Sequence, residues 1–370
     1  MSDLLYSDTE EALRDSVRRL FADRCPPESV MRAYDPAPHD FSDVWHALAA
    51  DLGMTGLLVP EDLGGAGASA REAAVVMEEI GRAVAPVPFL SSAVLATVAL
   101  LQAAGTEAAE TVKGLAAGSL TAALAVPLST APDDAVAGVA VSGSASGLTG
   151  RVTSVAGASD ADVLVVPVTG PDGLELHTVS RDAAGVDVSP VLTLDMTRPL
   201  ANVEFSSAAS SRVGDARAED ALRAALETGA ALLASEQLGI AQWCLDTTLA
   251  YAKQRKQFGR AIGSYQAIKH RLADLWIEVN SAAAAARYAA DTCARRDDDA
   301  RIGAAVAQAY CSGAAVHAAE ECVQLHGGIG MTWEYPAHLY LKRAKSDQLA
   351  FGTPYRHRAR LADLVDLPVS

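Results

Sequence analysis

A block of about 95 residues, Ser119 to Asp215, interrupts two long helical stretches and has a different texture from both. Its runs "LTAALAVPL", "GVAVSG", "DVLVVPV" and "LELHTV" are short and rich in Val and Leu. Gly, Pro, Asp and Ser separate them, as turns separate strands. A chain that passes from helices to strands and back must bury apolar stripes and alternating faces in one molecule. Few layer architectures allow that. The expected division is a helical domain over residues 1–118, a β module over 119–215 and a second helical domain over 216–370.

Local signals support the helical parts. "SDTEEALRDSVRRLF" opens with Ser7 and, three residues on, Glu10, the pattern of a capping box. Leu13, Val17, Leu20 and Phe21 then recur at helical spacing. "MTGLLVPEDLGGAGAS" reads as a loop, "REAAVVMEEIGRAV" as a helix, and the prolines of "APVPF" as its end. In "QAIKHRLADLWIEV" one stripe should hold Ile268, Leu272, Leu275, Trp276 and Val279. The Ala-rich run "RIGAAVAQAYCSGAAVHAAEECVQLHGG" should stop at Gly327-Gly328. Long helices of this kind suit a bundle whose faces also meet other subunits.

Composition removes several functions. A net charge of −16 over 370 residues argues against nucleic acid, which needs a basic surface. The five cysteines stand singly, without a CxxC pair or metal spacing, as reduced packing residues do. The start "MSDLLYSDTEEALRD" has no basic and apolar leader, and no uncharged apolar run approaches ~20 residues. A soluble cytoplasmic protein without a membrane or metal site is expected. P-loop, G-x-G-x-x-G after a strand, H-E-x-x-H and G-x-S-x-G signatures are all missing.

Two segments carry chemistry. In "YAKQRKQFGRAIGSYQAIKHRLAD", Arg255, Phe258 and Gly259 form an R-x-x-F-G motif, followed by Gln266. Arg255 suits a phosphate oxygen, Phe258 offers an aromatic wall, and Gln266 can bond an amide or base edge. A solvated turn between helices fits the same residues. In "VQLHGGIGMTWEYPAHLYLKRAKSDQLAFGT", Gly327, Gly328 and Gly330 leave backbone N–H groups free for an anion or cofactor. A helix cap and tight turn fits these equally.

Together, in this order and after a helix–strand–helix layout, these segments resemble the acyl-CoA dehydrogenase family. "GMTGLLVPEDLGGAG" and "EEIGRA" extend the resemblance into the first domain. It implies a mostly α fold with an inserted β-barrel and a C-terminal four-helix bundle. It further implies FAD, an acyl-CoA thioester substrate, electron-transferring flavoprotein as acceptor, and a tetramer built from dimers. The flavin of that family lies across two subunits. Its nucleotide tail is held by residues that fall here on Arg255, Phe258, Gln266, Gln324, Gly327 and Gly328, with Thr353 kept beside them. All are present.

The resemblance also implies a carboxylate base, and here the chain departs. The family's E-G-T glutamate falls on Phe351, before Gly352-Thr353, and the alternative base on an earlier helix falls on Gly229, with Ala230 replacing a frequent arginine. Phenylalanine cannot accept a proton, so no catalytic base is assigned. The family's T-E-P-x-x-G-S-D segment leaves only Pro127 in "AVPLSTAPDDAVAG". Its W-I-T/S motif becomes Ser154, Val155 and Ala156, without the indole or the hydroxyl that contact the flavin. The half-site offered to a neighbour survives while the chain's own is eroded. That pattern resembles the non-catalytic subunit of a heteromeric (α2β2) actinobacterial dehydrogenase of steroid or side-chain degradation, working with a homologous catalytic partner. Two other readings stay open. One is a self-sufficient homo-oligomer, or an enzyme of other flavin chemistry, with its base moved to Asp347 or Glu227, both read as ordinary solvated charges. The other is a flavin-free scaffold.

Overall fold

The structure, a computed structural model, describes residues 4–37, 39–171, 173–214 and 218–367. The boundary expected between residues 215 and 216 lies outside the described residues. Helices α1 (Asp8–Arg24), α2 (Pro27–Met31), α3 (Ser42–His46), α4 (Ala70–Ala83), α5 (Thr97–Ala103) and α6 (Thr106–Ala116) make the first domain. The capping box is present: the Ser7 N–H donates to the Glu10 carboxylate at 2.6 Å, and the Glu10 N–H donates back to Ser7 Oγ. A second box, Ser69 with Glu72, opens α4 and was not read from the sequence. The segment before it forms short 3₁₀ turns, in keeping with a loop.

The middle module holds β1 (Ala122–Leu124), β2 (Val141–Ser144), β3 (Gly147–Ala156), β4 (Val163–Gly170), β5 (Gly173–Ser180), β6 (Val186–Val191), β7 (Leu200–Ala208) and β8 (Ser211–Val213). They form one eight-stranded sheet in the order β6-β7-β3-β2-β4-β5-β8, with β1 beside β4 in parallel. Among the described residues no ladder joins β6 to β8, so a closed barrel is not found there. Closure needs an unbroken ring of ladders, and β8 is three residues long and pairs β5 alone. Inward residues of the sheet, including Leu148, Val152, Leu164, Val166, Val203 and Phe205, build a core of their own.

The third domain begins with α7 (Ala218–Gln254), followed by a hairpin of β9 (Lys256–Gln257) and β10 (Arg260–Ala261). Then come α8 (Gln266–Arg295), α9 (Ala300–His326), α10 (Ala337–Leu349) and α11 (Pro354–Leu364). Helices α7, α8 and α9 pack on one another, and α10 and α11 lie against α9. Gly327, at φ +64°, stops α9 where expected.

The stripe on α8 is narrower than predicted. Leu272, Leu275 and Val279 are buried, but Trp276 is 58 % exposed and Ile277 lies bare beside it.

Both helical domains share one core, and glycine makes that possible. A Cβ on Gly81 of α4 would sit 2.0 Å from the Glu236 carbonyl, and one on Gly239 of α7 would sit 1.9 Å from the Glu78 carbonyl. The two helices therefore cross backbone against backbone, and any side chain at either position would force them apart. Among the described residues no helix is long and apolar enough to cross a membrane, and no cluster of His, Cys, Asp or Glu could hold a metal.

Candidate functional site

The R-x-x-F-G motif leaves α7 as an exposed arm. The Arg255 N–H still donates to Tyr251 O at 2.8 Å, and the chain then turns back through β9 and β10. The two turn residues are Phe258 and Gly259, at φ +52° and +78°. A two-residue hairpin that needs positive φ at both centres selects Asn or Gly, and phenylalanine there costs roughly 1–2 kcal/mol. The ring gains nothing from its own chain in return, since Phe258 is 92 % exposed. Arg260 lies over the Tyr265 ring at 3.8 Å, and Tyr265 donates to Gln257 O, so the base of the hairpin is fixed while its tip stands clear. Arg255 and Gln266, the first residue of α8, are exposed on this arm.

The diglycine turn reaches the same end of the molecule. Gln324, Gly327 and Gly328 are exposed at the C-terminus of α9, and Cβ atoms built on either glycine would meet nothing within 4 Å among the described residues. The link between arm and turn is Tyr251, whose hydroxyl donates to His326 O at 3.4 Å. Six predicted residues, Arg255, Phe258, Gln266, Gln324, Gly327 and Gly328, thus belong to two neighbouring exposed segments. Thr353 does not join them. It caps α11, accepting the Arg356 N–H, and no described contact ties it to that set.

Around Phe351 the situation is reversed. Phe351 is fully buried at φ +55°, and its N–H donates to Leu128 O at 2.9 Å. The Leu128 N–H donates in turn to Ser154 O at 3.0 Å, so residue 128 ties the loop at 351 to the middle sheet. A Cβ on Gly229 would meet Phe351 Cζ at 3.0 Å and Leu95 Cδ2 at 2.6 Å. The two positions where a base was sought therefore face each other, and the phenyl ring occupies the space a side chain on α7 would need. A Cβ on Gly352 would meet Ala131 Cβ at 3.1 Å, and Arg356 clamps Asp133 at 2.9 Å and also Asp134. Val155 and Ala156 are buried. Packing thus fills the space between Phe351 and Gly229, whereas the backbone of the exposed arm and turn is uncovered by the described residues.

Both candidate replacement bases prove to be engaged, not solvated. Asp347 is fully buried and accepts from Arg198 at 2.5 Å, while Arg198 also donates to both Glu236 oxygens at 2.6 Å. Arg343 completes the cluster, donating to Asp195 at 2.7 Å, to Thr197 Oγ1 at 2.7 Å and to Glu236 at 2.5 Å. Three carboxylates against two guanidiniums leave one excess negative charge in a dry site. Burial, then the Glu236 charge, push the Asp347 carboxyl up to about 7, so this is the member of the cluster that most readily takes a proton. The role of the cluster is to lock the segment between β6 and β7 onto α7 and α10. Glu227 accepts from Arg360 at 2.6 Å and pairs with Arg301 at 3.2 Å. It lines a cavity of about 610 Å³ with Thr228, Cys293 and Arg296, on the side of α7 turned away from Gly229. Asp347 is sealed inside its cluster, whereas Glu227 borders the cavity with its carboxylate held by Arg360 and Arg301.

Sequence reasoning missed this charged cluster. Its one local signal was the polar pair Glu236-Gln237 inside the apolar run "ALLASEQLGIA". It also missed the stacking of Tyr251, His326 and Tyr335, whose partners come from separate segments.

Residues 7–119 match the acyl-CoA dehydrogenase N-terminal domain, and residues 220–365 match the acyl-CoA dehydrogenase C-terminal domain. The chain is 34 % identical over 355 residues to the acyl-CoA dehydrogenase IpdE2 of Mycolicibacterium smegmatis, covering 96 % of this chain and 98 % of that protein. Among solved structures it resembles a variant of the Tcur3481-Tcur3483 steroid ACAD, with a TM-score of 0.85 at 29 % identity, covering 97 % of this chain and 98 % of that one. It resembles the ChsE4-ChsE5 complex of Mycobacterium tuberculosis with a TM-score of 0.87 at 27 % identity, over the whole of both chains.

Proposed function

Because the chain belongs to the acyl-CoA dehydrogenase family, we propose that it is the non-catalytic subunit of a heteromeric enzyme that introduces an α,β double bond into an acyl-CoA thioester. In this reading Arg255, Phe258, Gln266, Gln324, Gly327 and Gly328 hold the adenosine and pyrophosphate end of an FAD. A homologous partner supplies the isoalloxazine contacts, the acyl pocket and the carboxylate base. When bound, FAD supplies the hydride acceptor, and electron-transferring flavoprotein is the expected acceptor beyond it. The Arg255 guanidinium gives the tail a charge-assisted hydrogen bond, and the bare Gly327-Gly328 backbone lets a phosphate approach. Thr353, on the separate loop that opens α11, is kept as an expected FAD contact apart from this arm.

The carrying observation is the contact between Phe351 and Gly229. It closes the chain's own crevice at both base positions, while the arm that would serve a neighbour stays open. Support for a heteromeric assembly comes from the ChsE4-ChsE5 and Tcur3481-Tcur3483 structures, the latter described as a steroid ACAD. A steroid-derived acyl-CoA and an α2β2 assembly follow as the working expectation.

The test is expression alone and together with a homologous catalytic subunit, with flavin and chains counted by native mass spectrometry. Expected are a colourless, inactive lone chain and an active complex holding one flavin per pair of unlike chains. A lone chain that binds FAD tightly and oxidises acyl-CoA at the full rate would refute the proposal.

A further inference from the structure

The exposed arm and the diglycine turn can serve one ligand only if their separation is fixed, and each lies at a helix end, where backbones fray. His326, the last residue of α9, stands between them and is nearly buried. Its Nδ1 lies 2.7 Å from Cys322 O. A carbonyl oxygen only accepts, so Nδ1 carries a proton. Nε2 lies 2.6 Å from the Tyr335 hydroxyl, and in the neutral ring it accepts that O–H. The imidazole sits between two tyrosine rings, with centroids 4.3 Å from Tyr251 and 4.4 Å from Tyr335. Tyr251 returns a hydrogen bond to His326 O, and its own carbonyl holds the Arg255 N–H. An unbroken series of contacts therefore runs from Arg255 through Tyr251 and His326 to Gly327.

Burial works against a charge on His326, but its hydrogen bonds to Cys322 outweigh that and raise its pKa from the ordinary value. Protonation leaves Nδ1 donating as before and turns Nε2 into a donor to the Tyr335 oxygen. The contacts survive in either state.

We infer that His326 is a positioning residue: held by Cys322, Tyr335 and Tyr251, it sets the Gly327-Gly328 turn against the Arg255 arm so that both grip the same dinucleotide tail. The inference rests on reading this end of the molecule as a nucleotide clasp. None of the three rings in the stack touches the ligand in this account. The histidine works through the backbone that follows it.

The test uses the two-subunit complex and two readouts, FAD affinity and amide hydrogen exchange over residues 255–261 and 327–331. His326→Phe keeps an aromatic between the tyrosines and deletes both polar contacts. It should weaken FAD about tenfold or more and raise exchange in both segments at once. His326→Asn, which can still donate to Cys322 O, should recover part of each effect. Tyr335→Phe removes one hydroxyl with little risk to folding, and should weaken FAD roughly threefold to fivefold. A folded His326→Phe or Tyr335→Phe complex that binds FAD as tightly as the parent would overturn the inference, as would exchange rising at 327–331 alone. A parent complex without FAD would overturn the clasp reading itself, and the inference with it.

Discussion

Two phenylalanines in this chain share a left-handed backbone and little else. Phe351 and Phe258 sit at φ +55° and +52°, a conformation that costs each roughly 1–2 kcal/mol. Phe351 regains that cost within its own chain. Its ring is fully buried against Gly229, and its N–H is bonded to Leu128. Burying a phenyl side chain stabilises by about 1.5–3 kcal/mol. Phe258 regains nothing, because its ring stands in solvent. The contrast teaches which surface is finished and which is waiting. Strain held by packing marks a site closed for good, whereas strain on a bare tip makes sense when a second molecule covers it. The difference can be broken at several points.

The largest effect belongs to Phe351→Glu, which puts a carboxylate where the resemblance leads one to expect the base. Here the new carboxylate would be buried without a partner and the phenyl packing lost, so the variant should lose about 3–5 kcal/mol of stability in urea titration. It should also show no acyl-CoA-dependent bleaching of flavin. A stable Phe351→Glu chain that turned over by itself would show that the crevice is open after all.

Arg255→Ala probes the other region. Loss of a charge-assisted hydrogen bond should cost about 1.5–3 kcal/mol of FAD binding in the complex, roughly 10–100-fold in affinity. Arg255 is exposed, so the melting temperature of the chain alone should not move. An equal loss of stability and of FAD would mean that the arm belongs to the fold and not to a ligand.

Gly229→Ala returns to the crevice with a single methyl. At 2.6 Å from Leu95 and 3.0 Å from Phe351 it overpacks the core, and should destabilise by about 1–3 kcal/mol. Shortening the neighbour with Phe351→Leu should relieve part of that strain. A double-mutant cycle by urea unfolding is then expected to be non-additive. Additive effects would mean that the two positions do not share one space.

What could be read in advance follows the range of each signal. Ser7 with Glu10, and Gly327 at the end of α9, were legible because capping is settled within a few residues. The strands were visible as Val-rich runs, but of "LTAALAVPL" only Ala122–Leu124 is extended, since β1 needs β4 beside it and that pairing is not local. Trp276 was placed on a buried stripe because periodicity ranks residues by type, and an exposed apolar residue looks the same in sequence as one facing the core. That Phe351 and Gly229 fall where the resemblance expects a base was an expectation read from the sequence. That Phe351 and Gly229 touch was not, because no local pattern relates a loop near the C-terminus to the middle of α7. The same holds for Arg198 and Arg343, which nothing local singles out and which folding sets between Asp195, Glu236 and Asp347.

The smallest effect concerns how the crevice is latched. His357 on α11 is nearly buried, and its Nε2 has no hydrogen-bond partner among the described residues. Burial pushes its pKa down to about 4 from 6.5, despite a bond to the Phe351 backbone. The folded state therefore prefers the neutral ring. The stabilisation is whole above the unfolded value, near pH 6.5, and is lost as the pH falls toward the folded value near 4. Between pH 6.5 and 5.5 the parent should lose about 1 kcal/mol relative to His357→Gln, which has no proton to gain over that interval. Urea midpoints for both chains across that range provide the check. Parallel curves would place His357 in a wetter setting than the packing around Phe351 and Gly352 describes. The closed crevice would then be looser than its contrast with the open arm requires.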